Sequence, residues 1–209
     1  MMHLYNKIIP LIFLLFSSGL FAQYKININY ESGYEYESQK YLINDIKNEY
    51  SRRGIQRIIE KQDWIQDYSI IFKPMKKEIF ISIKNREPLF ILNQEYFYDK
   101  DLIRFKYDQS SKKLIEVNGD IQDLESIIFL MKLVQSSELI NFKIDRIDYS
   151  LITGWDVITD STLIRFGKDI SKKRVKIFGD TLNYLYDNGK IPSIIDMRYK
   201  DGVALNYGK

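Results

Sequence analysis

Ile194-Ile195-Asp196-Met197-Arg198-Tyr199-Lys200-Asp201-Gly202-Val203-Ala204-Leu205-Asn206-Tyr207 is the stretch on which the fold turns. It reads as two short runs rich in apolar and aromatic residues, parted by Lys200-Asp201-Gly202. Asp-Gly between such runs signals a hairpin, because Gly takes positive φ at no steric cost. Only Gly208 and Lys209 follow the second run. Residues 203–207 are therefore expected to form the edge of a sheet. An edge presents a row of unpaired N–H and C=O groups, which can template another chain.

Working backwards, Asn188-Gly189 ends a helix of about 171–186, whose stripe is Val175, Phe178, Leu182 and Leu185. Lys172, Lys173 and Arg174 open that helix against its dipole. Their plain reading is a solvated helix end; their functional reading is a face for an acidic partner or lipid head groups. Gly154-Trp155-Asp156-Val157 and 162–167 form a hairpin about Asp160-Ser161, and 142–150 alternates as a strand. Asn118-Gly119 is a turn. Asp120 is the expected cap of a helix with Ile121, Leu124, Ile127, Ile128, Met131 and Val134 on one face. Residues 96–107 suggest a strand, a turn and a strand. Residues 92–209 thus predict a mostly antiparallel sheet with two helices packed on it.

Upstream, 24–30 alternates with period two, and two helices follow, about 38–50 and 55–62, the first capped by Ser38. Strands at about 67–73 and 79–83 complete a β-α-α-β-β order over residues 24–91, a small α+β domain. Trp64 is expected in its core. Arg86 is expected at a solvated strand end, and Pro88 is expected to stop pairing.

Composition narrows the chemistry. The 209 residues include no Cys and one His, His3. Disulfides, thiol catalysis, Cys-ligated zinc and His-dependent triads are thereby excluded. Net charge is +3 with 28% charged residues, which is not the clustered basic footprint of nucleic-acid binding. A carboxylate-based hydrolase is the catalytic class left open. Its candidates, Asp145 and Asp148, are three apart on an apparent strand and face opposite ways. No catalytic, cofactor or metal residues are assigned.

Residues 8–22 are uncharged and mostly apolar. At the helical rise they span roughly 22 Å, short of the roughly 30 Å hydrocarbon core. A cleaved signal peptide and a retained anchor both fit, and both place residues 24–209 outside the cytoplasm.

Two segments resemble one family. Asp63-Trp64-Ile65, with Ile79-Phe80-Ile81-Ser82-Ile83-Lys84-Asn85-Arg86-Glu87-Pro88, is similar to the POTRA domain of the bacterial cell-division proteins FtsQ/DivIB. Gly154-Trp155-Asp156-Val157, 163–167, Lys173 and above all 195–204 resemble the C-terminal β-domain of the same family. That last pattern is Asp-hydrophobic-Arg-Tyr-x-x-Gly-hydrophobic-Ala. An Asp-x-x-Gly turn usual to the family near residue 100 lacks its Gly here. The resemblance implies α+β architecture with a membrane helix and short cytoplasmic tail (1–23), a POTRA domain (24–91) and a β-domain (92–209). It favours a retained anchor in the inner membrane through residues 8–22, with the bulk periplasmic and gathered at the division septum. It further implies a scaffold without enzymatic activity, bound to FtsB-like and FtsL-like partners by strand addition. In that scheme Arg198 bonds an acidic partner residue, Tyr199 anchors the contact, Gly202 permits close approach, and Val203, Leu205 and Tyr207 line the added strand. The alternative is a POTRA-bearing periplasmic module for outer-membrane protein assembly or secretion.

Overall fold

The computed structural model describes residues 24–208 apart from 33, 50, 109–112 and 201. The expected anchor, 8–22, and Asp201 of the Asp-Gly pair lie outside the described residues. Among the described residues no helix is long and apolar enough to cross a membrane. The chain is α+β and divides into two compact units. One holds the chain up to Glu31 with Gln39–Asn85; the other holds Ser32–Ser38 with Arg86–Lys209.

In the first unit, β1 (Lys25–Tyr30) is followed by α1 (Ser38–Lys47), α2 (Arg52–Glu60), β2 (Ile65–Lys73) and β3 (Glu78–Asn85). The strand order is β1-β3-β2. β1 runs parallel to β3, and β2 runs antiparallel to it. Alternation in β3 buries Ile79, Ile81 and Ile83, while Leu42, Ile46, Ile55 and Ile59 are the buried stripes of the two helices. Ser51 caps α2, its Oγ accepting from the Gly54 N–H at 2.9 Å. Trp64 is in the core, 3% exposed, as its size predicts.

The second unit is built on a nine-stranded sheet, β12-β11-β10-β9-β8-β7-β4-β5-β6. Its strands are β4 (Pro88–Leu92), β5 (Tyr96–Asp99), β6 (Arg104–Lys106), β7 (Ile115–Asn118), β8 (Ile144–Ser150), β9 (Gly154–Thr159), β10 (Leu163–Gly167), β11 (Ile194–Asp196) and β12 (Ala204–Asn206). α3 (Leu124–Gln135) joins β7 to β8, and α4 (Lys172–Asn188) joins β10 to β11. A helix between neighbouring strands returns the chain to the same end, so both pairs are parallel. β4–β7 is parallel as well. The sheet is therefore mixed, with five antiparallel and three parallel pairs, so antiparallel pairing is in the majority as expected.

One face is apolar. The row Ile147, Val157, Ile164, Ile195, Leu205 crosses five strands in register. It belongs to one core with Ile127, Leu130, Met131 and Val134 of α3 and Phe178, Leu182 and Leu185 of α4. Phe166 and Phe178 meet at 5.2 Å between ring centroids. The α3 cap is Asp123 rather than the expected Asp120. Its Oδ1 accepts from the Glu125 N–H at 3.2 Å, and its Oδ2 from Ser126 Oγ at 2.6 Å. Gly189 closes α4 at φ 64°.

Two expectations near residue 90 need correcting, and the turn after β5 forms as expected. Pro88 does not end pairing; it opens β4 opposite Asp99. A strand's first position is where the missing N–H costs least. Arg86 is not a solvated end. Its Nη1 lies 3.1 Å from Asp99 Oδ2, with the two side chains only 18% and 8% exposed. The turn after β5 forms without Gly: Asp99 Oδ1 accepts from the N–H groups of Asp101 and Ile103, and Leu102 takes φ 58°. Tyr34 and Tyr36, unmarked by any motif, are both 3% exposed and pack edge-on against Phe97.

Candidate docking edge

Among the described residues β12 has one neighbour. It pairs antiparallel with β11 through Ile194–Asn206, Ile195–Leu205 and Asp196–Ala204, and it ends the sheet. The direction of its free groups follows from the next ladder. Ser193 accepts from the Leu163 N–H at 2.9 Å, and the Met197 N–H donates to Arg165 O at 2.8 Å. Residues 193, 195 and 197 thus turn their backbone groups to β10, leaving those of Ile194 and Asp196 for β12. Ala204 and Asn206 are consumed in that ladder. By the alternation of the ladder, the backbone N–H and C=O of Leu205 point away from the sheet, with Val203 and Tyr207 on either side of β12.

The two edges of this sheet differ. β6 at the far end is Arg104-Phe105-Lys106, two cations flanking one buried residue, the kind of edge that resists pairing. β12 is Ala204-Leu205-Asn206, with no charge, no Pro and no register shift. Tyr199, on the connection before it, and Tyr207, just after it, are 57% and 49% exposed.

The closing segment is not a tight hairpin. β11 and β12 are each three residues long, and seven residues, 197–203, join them. Arg198 and Tyr199 lie on this connection and not in a strand. Two arginines shape it. Arg174 is 7% exposed, and its Nη1 donates to Met197 O and, at 2.7 Å, to Tyr199 O. These carbonyls are drawn to a side chain instead of a ladder, so the strand stops. The solvated-end reading of Arg174 is thereby overturned: a cation that opposes its own helix dipole is held by what it binds across the sheet end. Arg174→Met takes the donor from the buried Met197 carbonyl and the partly buried Tyr199 carbonyl and is expected to cost about 2–4 kcal/mol. A lowered urea midpoint at unchanged denaturant slope is the check.

Arg198 makes the second bond set. Its Nε donates to Asp196 Oδ1 at 2.8 Å and its Nη2 to Oδ2 at 2.6 Å. These bonds hold the Asp196 carboxyl below its ordinary range. Arg198 is therefore pre-engaged, with its side chain 38% exposed. Gly167, at φ 74°, lies beneath it; a Cβ there would come within 3.0 Å of Arg198 Cγ. Gly154 in turn packs on Gly167, and a Cβ at 154 would meet the Gly167 backbone at 2.1 Å. Around Gly202 a Cβ would meet nothing within 4 Å, so the protein leaves open space there.

The face opposite the helices carries a polar row in register: Asn118, Asp148, Asp156, Arg165, Asp196 and, at the edge, Ala204. Asn118 Nδ2 donates to Asp148 Oδ1 at 2.9 Å, and Arg165 Nε stands 3.7 Å from Asp156 Oδ2. Burial pushes the Asp156 carboxyl up. The two carboxylates considered for hydrolysis are each engaged separately, Asp145 with Lys113 at 2.8 Å and Asp148 with Arg146 at 3.0 Å. Among the described residues no cluster of three or more His, Cys, Asp or Glu is placed to hold a metal ion.

All six residues assigned to partner binding from sequence, Arg198, Tyr199, Gly202, Val203, Leu205 and Tyr207, fall on β12 or on the segments flanking it. Arg174 was missed as part of this site, though its cation in a first helical turn was the visible signal. No protein-family model matches the chain, and no curated protein matches it.

Proposed function

We propose that this protein is a membrane-anchored scaffold of the FtsQ/DivIB type, without enzymatic activity, which captures an FtsB-like or FtsL-like segment as an added strand along β12. The observation that carries this reading is the uncharged outer edge of a nine-stranded sheet, with the backbone groups of Leu205 turned outward. Backbone pairing there supplies affinity, and alternate side chains supply specificity. Tyr199 and Tyr207 flank the edge as exposed aromatic anchors of the kind that dominate interface energetics. The open space at Gly202 leaves room for a close-lying chain. The β-α-α-β-β order of the first unit supports the POTRA part of the resemblance.

The test is capture. The full chain, extracted from membranes, is expected to retain a synthetic FtsB-like segment, and retention of none would sink the proposal. The alternative, a periplasmic module for outer-membrane strands, is favoured by a different edge. β2, nine residues long with Ile71 55% exposed, borders the small sheet. Capture that depends on β2 and not on β12 would favour that reading.

A further inference from the structure

β2 is the outer strand of the three-stranded sheet and, among the described residues, pairs only with β3. Its free backbone groups can be assigned. The Lys25 N–H donates to Lys77 O and the Glu31 N–H to Ile83 O, so β3 turns its odd-numbered residues to β1 and its even-numbered ones to β2. Those even-numbered residues pair with Asp67, Ser69, Ile71 and Lys73. The N–H and C=O of Tyr68, Ile70 and Phe72 therefore point out of the sheet. In keeping with this, the Tyr68 N–H donates to the neighbouring side chain, Asp67 Oδ1, at 2.8 Å.

The strand carries one acid, Asp67, and one base, Lys73. Both lie on the exposed face with Ser69 and Ile71, while Tyr68, Ile70 and Phe72 are half-buried on the helix side, opposite Ile83, Ile81 and Ile79. Over that side lies α2, with a charge at each end. Glu60 accepts from the Tyr68 hydroxyl at 2.7 Å, and Arg52 stands 5.8 Å from the Phe72 ring centroid.

We propose that a second copy of this chain pairs here, β2 against β2, antiparallel about a two-fold axis at Ile70, to make one continuous six-stranded sheet. In that register Asp67 of each copy meets Lys73 of the other, Ser69 meets Ile71, and Tyr68 meets Phe72. Each outward N–H and C=O finds its opposite on the other copy. Arg52 of each α2 is brought toward Glu60 of the other, because each sits over one member of the Tyr68–Phe72 pair. Charge chooses the occupant: the strand is complementary to its own reverse on both faces, as a two-fold interface requires. Moving the axis to Ser69 or Ile71 sets Lys73 opposite Ile65 or Ser69 and loses both ion pairs. Pairing asks Asp67 to release the Tyr68 N–H and Lys73 to leave the Phe80 ring, now 4.3 Å from its Nζ. The proposal does not rest on strand capture at β12.

The full chain in detergent micelles is expected to sediment as a dimer that dissociates on dilution. Asp67→Lys and Lys73→Asp each place like charges opposite one another at two points and are expected to weaken the dimer roughly tenfold or more. An equimolar mixture of the two variants restores both attractions and is expected to regain wild-type affinity, which damage to the fold would not allow. The absence of Cys lets the register be read as well. Ser69→Cys mixed with Ile71→Cys is expected to give the mixed disulfide on oxidation, since directly opposed residues lie about 4.5 Å apart. Like-with-like disulfides would span a diagonal of about 7–8 Å and should be minor. A mixture no tighter than either variant, disulfides formed in chance proportions, or a chain that stays monomeric while a foreign strand protects the Tyr68, Ile70 and Phe72 amides overturns the proposal.

Discussion

Leu205→Pro is expected to leave the protein folded and to abolish capture of an FtsB-like segment. The Leu205 N–H points out of the sheet, so a proline there removes no bond of the β11–β12 ladder. It does remove the donor that an added strand needs, and its ring stands where that strand must approach. A loss of at least about a hundredfold in affinity follows from the lost backbone bond and the clash together. The side chain is only half-buried against the core, so the substitution costs about 1–2 kcal/mol of packing. Ala204→Pro is the opposite control. Ala204 is exposed and has no packing to lose, but its N–H is used in the ladder with Asp196. That variant is expected to unpair β12 itself, seen as fast exchange of amides that Leu205→Pro leaves slow. Calorimetry with titration of the segment separates the two. Equal binding by wild type and Leu205→Pro would contradict the strand-addition reading.

Tyr199→Ala is expected to cut affinity roughly 30-fold or more without changing stability. The ring is 57% exposed, while the backbone carbonyl of the same residue is the part that Arg174 binds. Truncation therefore removes the anchor and spares the clamp. Aromatic hot spots at interface centres typically cost 2 kcal/mol or more on truncation, whereas an exposed substitution moves stability by about 0.5 kcal/mol or less. Arg174→Met gives the reverse signature. It lowers stability and loosens the connection that presents Tyr199 and Arg198, with both side chains still in the chain. A Tyr199→Ala variant that binds normally would remove this residue from the interface.

What was legible in the sequence was local. Alternation gave β3, the apolar stripes gave α3 and α4, and the turn residues gave the β9–β10 hairpin. The last strand's place at the sheet edge followed from the same kind of signal. What was not legible depends on partners distant in sequence. The parallel pairs β4–β7, β7–β8 and β10–β11 are set by which strands become neighbours, and no short window records that. Pro88 hid β4, because a proline marks a strand's first residue as readily as its stop. Tyr34 and Tyr36 find their aromatic partners more than sixty residues away. The seven-residue connection after β11 arises because Arg174, on a helix before it, takes carbonyls that a hairpin would have paired. At the site, the pairing of Arg198 with Asp196, two residues before it, was within reach of the sequence, and the structure shows it.

Amide hydrogen exchange resolved along residues 203–207 tests the central claim most directly. In the free chain, Ala204 and Asn206 should exchange slowly, and Val203, Leu205 and Tyr207 quickly. Saturation with an FtsB-like segment should slow those three alternate amides and leave the other two as they were. Alternate amides that stay fast at saturation, with protection gained on another surface, would contradict the account.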